Sequence, residues 1–345
     1  MKKKCSQQWW SVFIASILSF HGIGTCLALT TLNGSGATFP APLYIRWASE
    51  FQKIHPEIAV NYQGIGSGAG IVNFTKGLTD FCASDIAMTD ADIEKNHGNI
   101  VMIPLTAGMI VLSYNLPNIK ELKLNREAYI GIFLGKITHW NDPLIELSNP
   151  GIILPSLPIV VVTRSDGSGT TALFTEHLAK ISPEFNTEVG SGKSVKWPVG
   201  LAGKGNDGVT SLIKGTAGAI GYIEYGFAKN NNLPTAELQN KAGKIVSSSD
   251  KAGSLALANI TLPDNLRSFV PDPEGPEDYP ISGFTWVILK KSYPPEKDKG
   301  LKAFFSYALT EGQLLSSALG YLALPEAVQK KSIQALASIH ESASK

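Results

Sequence analysis

Residues 163–171 read TRSDGSGTT, which places one arginine, one aspartate, two glycines and a cluster of hydroxyls within nine positions. Two kinds of chemistry use such a string. A serine in it could act as a nucleophile if a base stood beside it. Alternatively, glycine amides, hydroxyls and a guanidinium could cradle an anion and leave it unchanged. The first option lacks its partner. Of the histidines at 21, 55, 97, 139, 177 and 340, His177 lies nearest in sequence, but two helical turns past Thr170 it could not reach back to Ser168. The G-x-S-x-G elbow is absent, since the serine contexts read IGSGA and DGSGT. Walker A is missing, and GIGSGAG carries Ala69 where the last glycine of a full dinucleotide fingerprint would stand. No His, Cys or carboxylate pair has metal-ligand spacing. The expectation is therefore a binder, with no catalytic residue, no metal and no cofactor. A secreted phosphatase or hydrolase using one activated serine, and a surface adhesin, stay open as alternatives.

Two further loops share the chemistry of the first. GSGATFPAP (34–42) and GIGSGAG (64–70) also place Ser, Thr and Gly just before a predicted helix. The first turn of a helix has N–H groups without internal partners, and its dipole adds positive charge there. Glycines let an anion approach those groups, and hydroxyls add donors. The plain alternative is that these hydroxyls are N-caps. Arg164 is one of only four arginines, with 46, 126 and 267, and it alone follows a strand and precedes a glycine loop. A guanidinium there can grip two oxygens of a tetrahedral oxyanion, with Asp166 to pin it. The alternative is an ordinary surface ion pair.

Asp85 ends the apolar run FCASD. A carboxylate beside an anion is repulsive unless a proton lies between them. The hydrogen phosphates carry such a proton near neutral pH and sulfate does not, so an acceptor-only carboxylate would favour phosphate. The alternative role is an N-cap for TDADIEK.

The elements that must position these residues follow from periodicity. Leu43, Trp47, Phe51 and Ile54 predict a helix between Pro42 and Pro56. Val60 and Tyr62 predict a short strand, IVNFTKGL a helix, FCASDIAM a strand, and residues 100–115 one buried strand or a pair. A helix over 126–140 should end near Gly135. PIVVVTRSDGSGTTALFTEHLAK reads strand, glycine turn, helix; GAIGYIEYGFAK repeats the junction. FTWVILKK (284–291) predicts a late strand, and residues 299–339 a helical stretch broken at Pro325. Residues 230–280 carry the weakest pattern. Alternating strands and helices mean an α/β fold with mostly parallel sheets, whose ligands bind outside the carboxyl ends of strands.

A chain of 345 residues, 43% hydrophobic and 17% charged, suits about two globular domains. Lys2 to Lys4, the apolar run Trp9 to Phe20 and the small residues ending at Ala28 have the layout of a secretory signal peptide over 1–28, with lipid anchoring through Cys26 as the less favoured variant. Its removal leaves Cys82 as the sole thiol and takes three lysines from the 30 Lys+Arg, so the remainder is slightly acidic against 29 Asp+Glu. Bulk charge thus excludes nucleic-acid binding, and any anion must be caught by local donors.

The strings GATFPAPLY, YQGIGSGAG, ASD, LGKITHWND, TRSDGSGTT, VKWPVGLAGKGNDGV and GAIGYIEY, in this order, resemble the periplasmic phosphate-binding protein (PstS) family of the ABC phosphate importer. Cys82 stands where the family has a small glycine, and GSGAG replaces a GSSGG-like string. The resemblance implies a two-lobed type II periplasmic binding-protein fold, with two mostly parallel sheets flanked by helices and two crossovers. Lobe I would hold 29–114 plus 288–345 and lobe II 115–287. It also implies a phosphate site of Thr38, Phe39, Ser67, Asp85 as proton acceptor, Arg164, Ser168, Gly169 and Thr170, with Asp166 orienting the arginine. The implied partners are inorganic phosphate and an inner-membrane ABC permease, the implied state is a monomer, and the implied place is the periplasm.

Overall fold

The structure is a computed structural model that describes residues 29–258 and 260–342; the expected signal peptide, with Cys26, lies outside them. Strands and helices alternate: β1 (Thr30–Gly36), α1 (Ala41–Ile54), β2 (Ile58–Gly64), α2 (Ser67–Thr75), β3 (Phe81–Ser84) and β4 (Ile100–Tyr114). After a helical stretch at Arg126–Phe133 come β5 (Val160–Arg164), α3 (Gly169–Ile181), β6 (Leu201–Gly203), α4 (Gly205–Gly215), β7 (Ala219–Glu224) and α5 (Tyr225–Asn230). The chain ends with β8 (Ser282–Lys290), α6 (Pro295–Leu309) and α7 (Glu326–Ala337).

Helix α1 shows how the pattern becomes packing. Pro42 stands in its first turn, where a missing N–H costs nothing. The apolar face that the spacing predicts is buried through Leu43, Tyr44, Trp47 and Phe51, while Ile54 at the end is exposed. Phe51 meets Phe304 of α6 edge-on at 5.4 Å, and Trp47 donates from Nε1 to the Gly312 carbonyl at 2.7 Å. Each such side chain contributes about 1.5–3 kcal/mol of burial. The chain leaves the helix at His55, ahead of Pro56, which disfavours a helical predecessor.

These eight strands form one hydrogen-bonded ladder in the order β2-β1-β3-β8-β4-β7-β5-β6, with a small three-stranded and a two-stranded sheet outside it. The two expected sheets are its two ends. On one side β1 runs parallel to β2 and β3; on the other β5 runs parallel to β6 and β7. Strand β4 joins them, antiparallel to β8 over Ile100–Met109 and antiparallel to β7 over Ile110–Tyr114. The 100–115 stretch is thus one long strand that changes partner between Met109 and Ile110. Every side chain in it but Val101 is buried, which is why its sequence shows no alternation.

Two expectations are corrected. Residues 310–324 are not α-helical: α6 stops at Leu309, and two 3-10 turns, Glu311–Leu315 and Ser317–Leu319, lead to Gly320 at φ 87°. The cause is tertiary. A Cβ on Gly312 would stand 2.8 Å from Trp47 Nε1, and the Gln313 side chain bonds the carbonyls of Leu105 and Ala308 and the amide of Leu324. Helix α2 begins at Ser67 instead of Ile71, so the serine of GIGSG is itself the first helical residue.

Candidate functional site

Four strand–helix junctions, β1–α1, β2–α2, β5–α3 and β6–α4, and the carboxyl end of β3 build one site. Glycines make the close approaches. Gly66, at φ 92°, adopts a backbone that favours glycine, and a Cβ there would lie 2.3 Å from Asp166 Oδ2. The Gly68 amide donates to the Gly167 carbonyl at 2.9 Å, so the β2–α2 loop touches the β5–α3 loop. A Cβ on Gly169 would stand 2.5 Å from Asp85 Oδ2 and 2.6 Å from Ser67 Oγ. Asn206, at the start of α4, donates from its backbone and from Nδ2 to Thr38 Oγ1 at 3.2 and 3.0 Å. Thr38, Ser67, Asp85, Asp166 to Thr170 and Asn206 therefore meet in one place, although up to 168 residues separate them in sequence.

The guanidinium of Arg164 is 1% exposed. Its Nε and Nη2 donate to the two oxygens of Asp166 at 2.8 and 2.5 Å, and Nη1 donates to Thr170 Oγ1 at 3.3 Å. The pair expected from sequence is thus buried and bidentate, not a loose surface bridge. Burial acts to raise the Asp166 carboxyl, but the bonds and charge of Arg164, with the Gly205 amide donating at 2.9 Å, outweigh it and hold the group below its ordinary value.

Asp85 is 1% exposed. Its Oδ1 accepts from Thr285 Oγ1 at 2.9 Å, and Oδ2 faces Gly169 and Ser67. Burial pushes its carboxyl up to about 7, against the opposing pull of the Thr285 bond and the Arg164 charge. Asp85 is not an N-cap. That role at the next helix belongs to Thr89, whose side chain accepts from the Asp92 amide.

Phe39 and Ser168 lie at the β1–α1 and β5–α3 junctions. Phe39 is fully buried, and its carbonyl accepts from Tyr321 Oη at 2.7 Å. Ser168 is the N-cap of α3, accepting from the Thr171 amide at 3.0 Å, and its hydroxyl proton stays available as a donor. Among the described residues, no histidine or carboxylate is hydrogen-bonded to it. His177 is buried, bonded to Tyr129 Oη and the Pro271 carbonyl, and burial lowers it to about 4. Among the described residues, no group of His, Cys, Asp and Glu could hold a metal ion.

Sequence reasoning missed three residues here. Asn206 lies in LAGKGNDGV, a fourth glycine-rich strand–helix junction whose pattern matches the other three. Thr285 gave no signal beyond its late strand. Glu224 closes β7, is fully buried, and burial drives its carboxyl well above the ordinary range; its amide donates to Asn206 Oδ1 at 3.1 Å.

A family model for the PBP superfamily domain matches residues 25–311. The phosphate-binding protein PstS of Pasteurella multocida is 42% identical over 306 residues, covering 87% of this chain and 88% of its own. That of Methanocaldococcus jannaschii is 40% identical over 337 residues, covering 90% and 86%. The chain belongs to the PstS family of the PBP superfamily. Among solved structures, a high affinity periplasmic phosphate-binding protein (PfluDING) bound with phosphate superposes with a TM-score of 0.73 at 23% identity, covering 87% of this chain and 92% of that one. A phosphate-binding protein of Stenotrophomonas maltophilia gives 0.69 at 19%, covering 88% and 93%. The PstS-family chain thus has the expected two-lobed type II fold, and β4 pairs with strands on both sides of the ladder.

Proposed function

We propose that this chain binds inorganic phosphate between its lobes, outside the inner membrane, and delivers it to an ABC permease as a receptor and not as an enzyme. Thr38, the Phe39 amide, Ser67, Asp85, Arg164, Ser168, Gly169 and Thr170 hold the anion, and Asp166 and Asn206 fix the groups that do. The observation that carries the reading is Asp85. A buried acceptor with one oxygen turned into a ring of donors fits an anion that brings its own proton. The names of the PstS relatives support phosphate as that anion. The hydroxyl of Ser168, engaged as a cap and without a base, favours binding over hydrolysis.

We shift the lobe boundaries from the expected 114/115 and 287/288 to the partner change on β4, between Met109 and Ile110, and near Ser282 where β8 begins. The Gly68–Gly167 and Thr38–Asn206 contacts then span the cleft, and a phosphate touching both sides stabilises this closed arrangement by its differential contacts. A calorimetric titration with phosphate, sulfate as control, tests the reading, together with a turnover assay on a phosphomonoester. Saturable phosphate binding without sulfate binding or turnover is expected. Turnover of the ester would favour a phosphatase, and absence of anion binding would favour an adhesive role.

A further inference from the structure

Thr285 is fully buried at the centre of β8, where a valine of the same shape would satisfy the packing. Its hydroxyl therefore needs an account, because a buried hydroxyl costs free energy unless it is bonded. The ladder between β8 and β4 is irregular at this residue. Thr285 stands opposite Thr106, yet Trp286 stands opposite Pro104, so β4 carries Leu105 as an extra residue. Pro104 has no N–H to give to a ladder, and the Leu105 and Pro104 carbonyls are taken by Gln313 Nε2 at 3.0 Å and Ser332 Oγ at 2.9 Å. Such bulges occur beside functional sites, where they re-aim a side chain. Here the side chain at the bulge reaches the end of β3.

Thr285 Oγ1 has one proton and two acceptors within range, Asp85 Oδ1 at 2.9 Å and the Ser84 carbonyl at 3.4 Å. The shorter contact goes to the carboxyl. Asp85 Oδ2 is left facing Gly169 and Ser67. We infer that Thr285 is the positioning residue for Asp85: its hydroxyl occupies Oδ1 and so commits Oδ2 to the proton of the bound anion. The inference rests on the reading of the site as one for a protonated oxyanion and adds how its selectivity is set. The ionisable groups around Asp85 are Arg164 from β5, Cys82 from β3, Tyr44 from α1, Tyr62 from β2, Glu224 from β7 and Tyr321. Burial holds all of these but Arg164 toward their neutral forms, so Thr285 and Arg164 are what favour the carboxylate.

The test compares the unsubstituted chain with T285V and T285S by calorimetry, using phosphate and sulfate across neutral pH. T285V should weaken phosphate roughly ten- to hundredfold, the worth of a hydrogen bond to a charged group. It should also lower the phosphate-to-sulfate ratio and move the acid limb of phosphate affinity to higher pH, because loss of the donor makes Asp85 easier to protonate. T285S, which keeps the hydroxyl, should restore all three. A T285V chain with an unchanged ratio and acid limb overturns the inference, even if its affinity falls uniformly through a packing defect. So does a T285S chain as impaired as T285V. Failure of the unsubstituted chain to bind phosphate overturns the reading of the site as well, and is distinguished because it precedes any substitution.

Discussion

Replacing Asp85 by Asn should move ligand-free stability and phosphate binding in opposite directions. Asp85 stands at about 7 in the fold against an ordinary 3.8. The folded chain thus keeps a proton that the unfolded chain has already released. The stability tied to this group is complete below about 3.8 and is lost as pH rises through about 7. The gap of about three pH units corresponds to about 4 kcal/mol, at about 1.4 kcal/mol per unit. D85N carries no such charge, so without ligand it should melt several degrees higher than the parent chain at about pH 8 and at the same temperature in acid. Binding changes the other way. With the Asn oxygen held by Thr285 as Oδ1 is now, its NH2 faces the anion, and phosphate loses the acceptor for its proton, a hydrogen bond worth about 1.5–3 kcal/mol, or roughly ten- to hundredfold in affinity. Sulfate, a dianion, loses a buried like charge in contact with it, a relief of about 8 kcal/mol at a separation of about 4 Å and an effective dielectric of about 20. Scanning calorimetry and titrations with both anions read these effects together. A D85N chain that is less stable without ligand, or that still rejects sulfate while binding phosphate, would refute the reasoning.

Two other substitutions bear on the same cradle. Arg164→Ala should remove most phosphate affinity by calorimetry, and it leaves Asp166 with only the Gly205 amide; loss of one partner of a buried pair should cost about 3–5 kcal/mol in a denaturant melt. Adding Asp166→Ala should recover part of that stability and none of the affinity. Gly169→Ala should weaken phosphate strongly, because its methyl would lie 2.5 Å from Asp85 Oδ2, and an unchanged dissociation constant would show that this oxygen does not face the anion.

The groups proposed to grip an anion were legible because they are local. Thr38, Ser67, Arg164 and Ser168 sit at strand–glycine–helix junctions that any reader of the sequence can find, and Asp85 was conspicuous as a carboxylate ending an apolar strand. What fixes those groups is not local. Thr285 reaches Asp85 across 200 residues through a bulge that arises from β4 and not from its own strand. Asn206 repeats the junction pattern, yet its amide finds its partner only where Thr38 arrives from the distant β1–α1 junction. The same distinction explains the fold. The 3.6-residue period of α1 predicted its buried face, whereas the 310–324 stretch departs from its helical pattern because Trp47 and Leu105 hold Gly312 and Gln313 in a tighter turn.

A crystal structure of the chain grown with phosphate tests the central claim most directly. The account predicts one phosphate in contact with the Arg164 guanidinium, Ser67 and the first amides of α3, with Asp85 Oδ2 within hydrogen-bond distance of a single oxygen and Oδ1 still held by Thr285. A phosphate seated elsewhere, or one held by Arg164 with Asp85 turned away from it, would contradict the account.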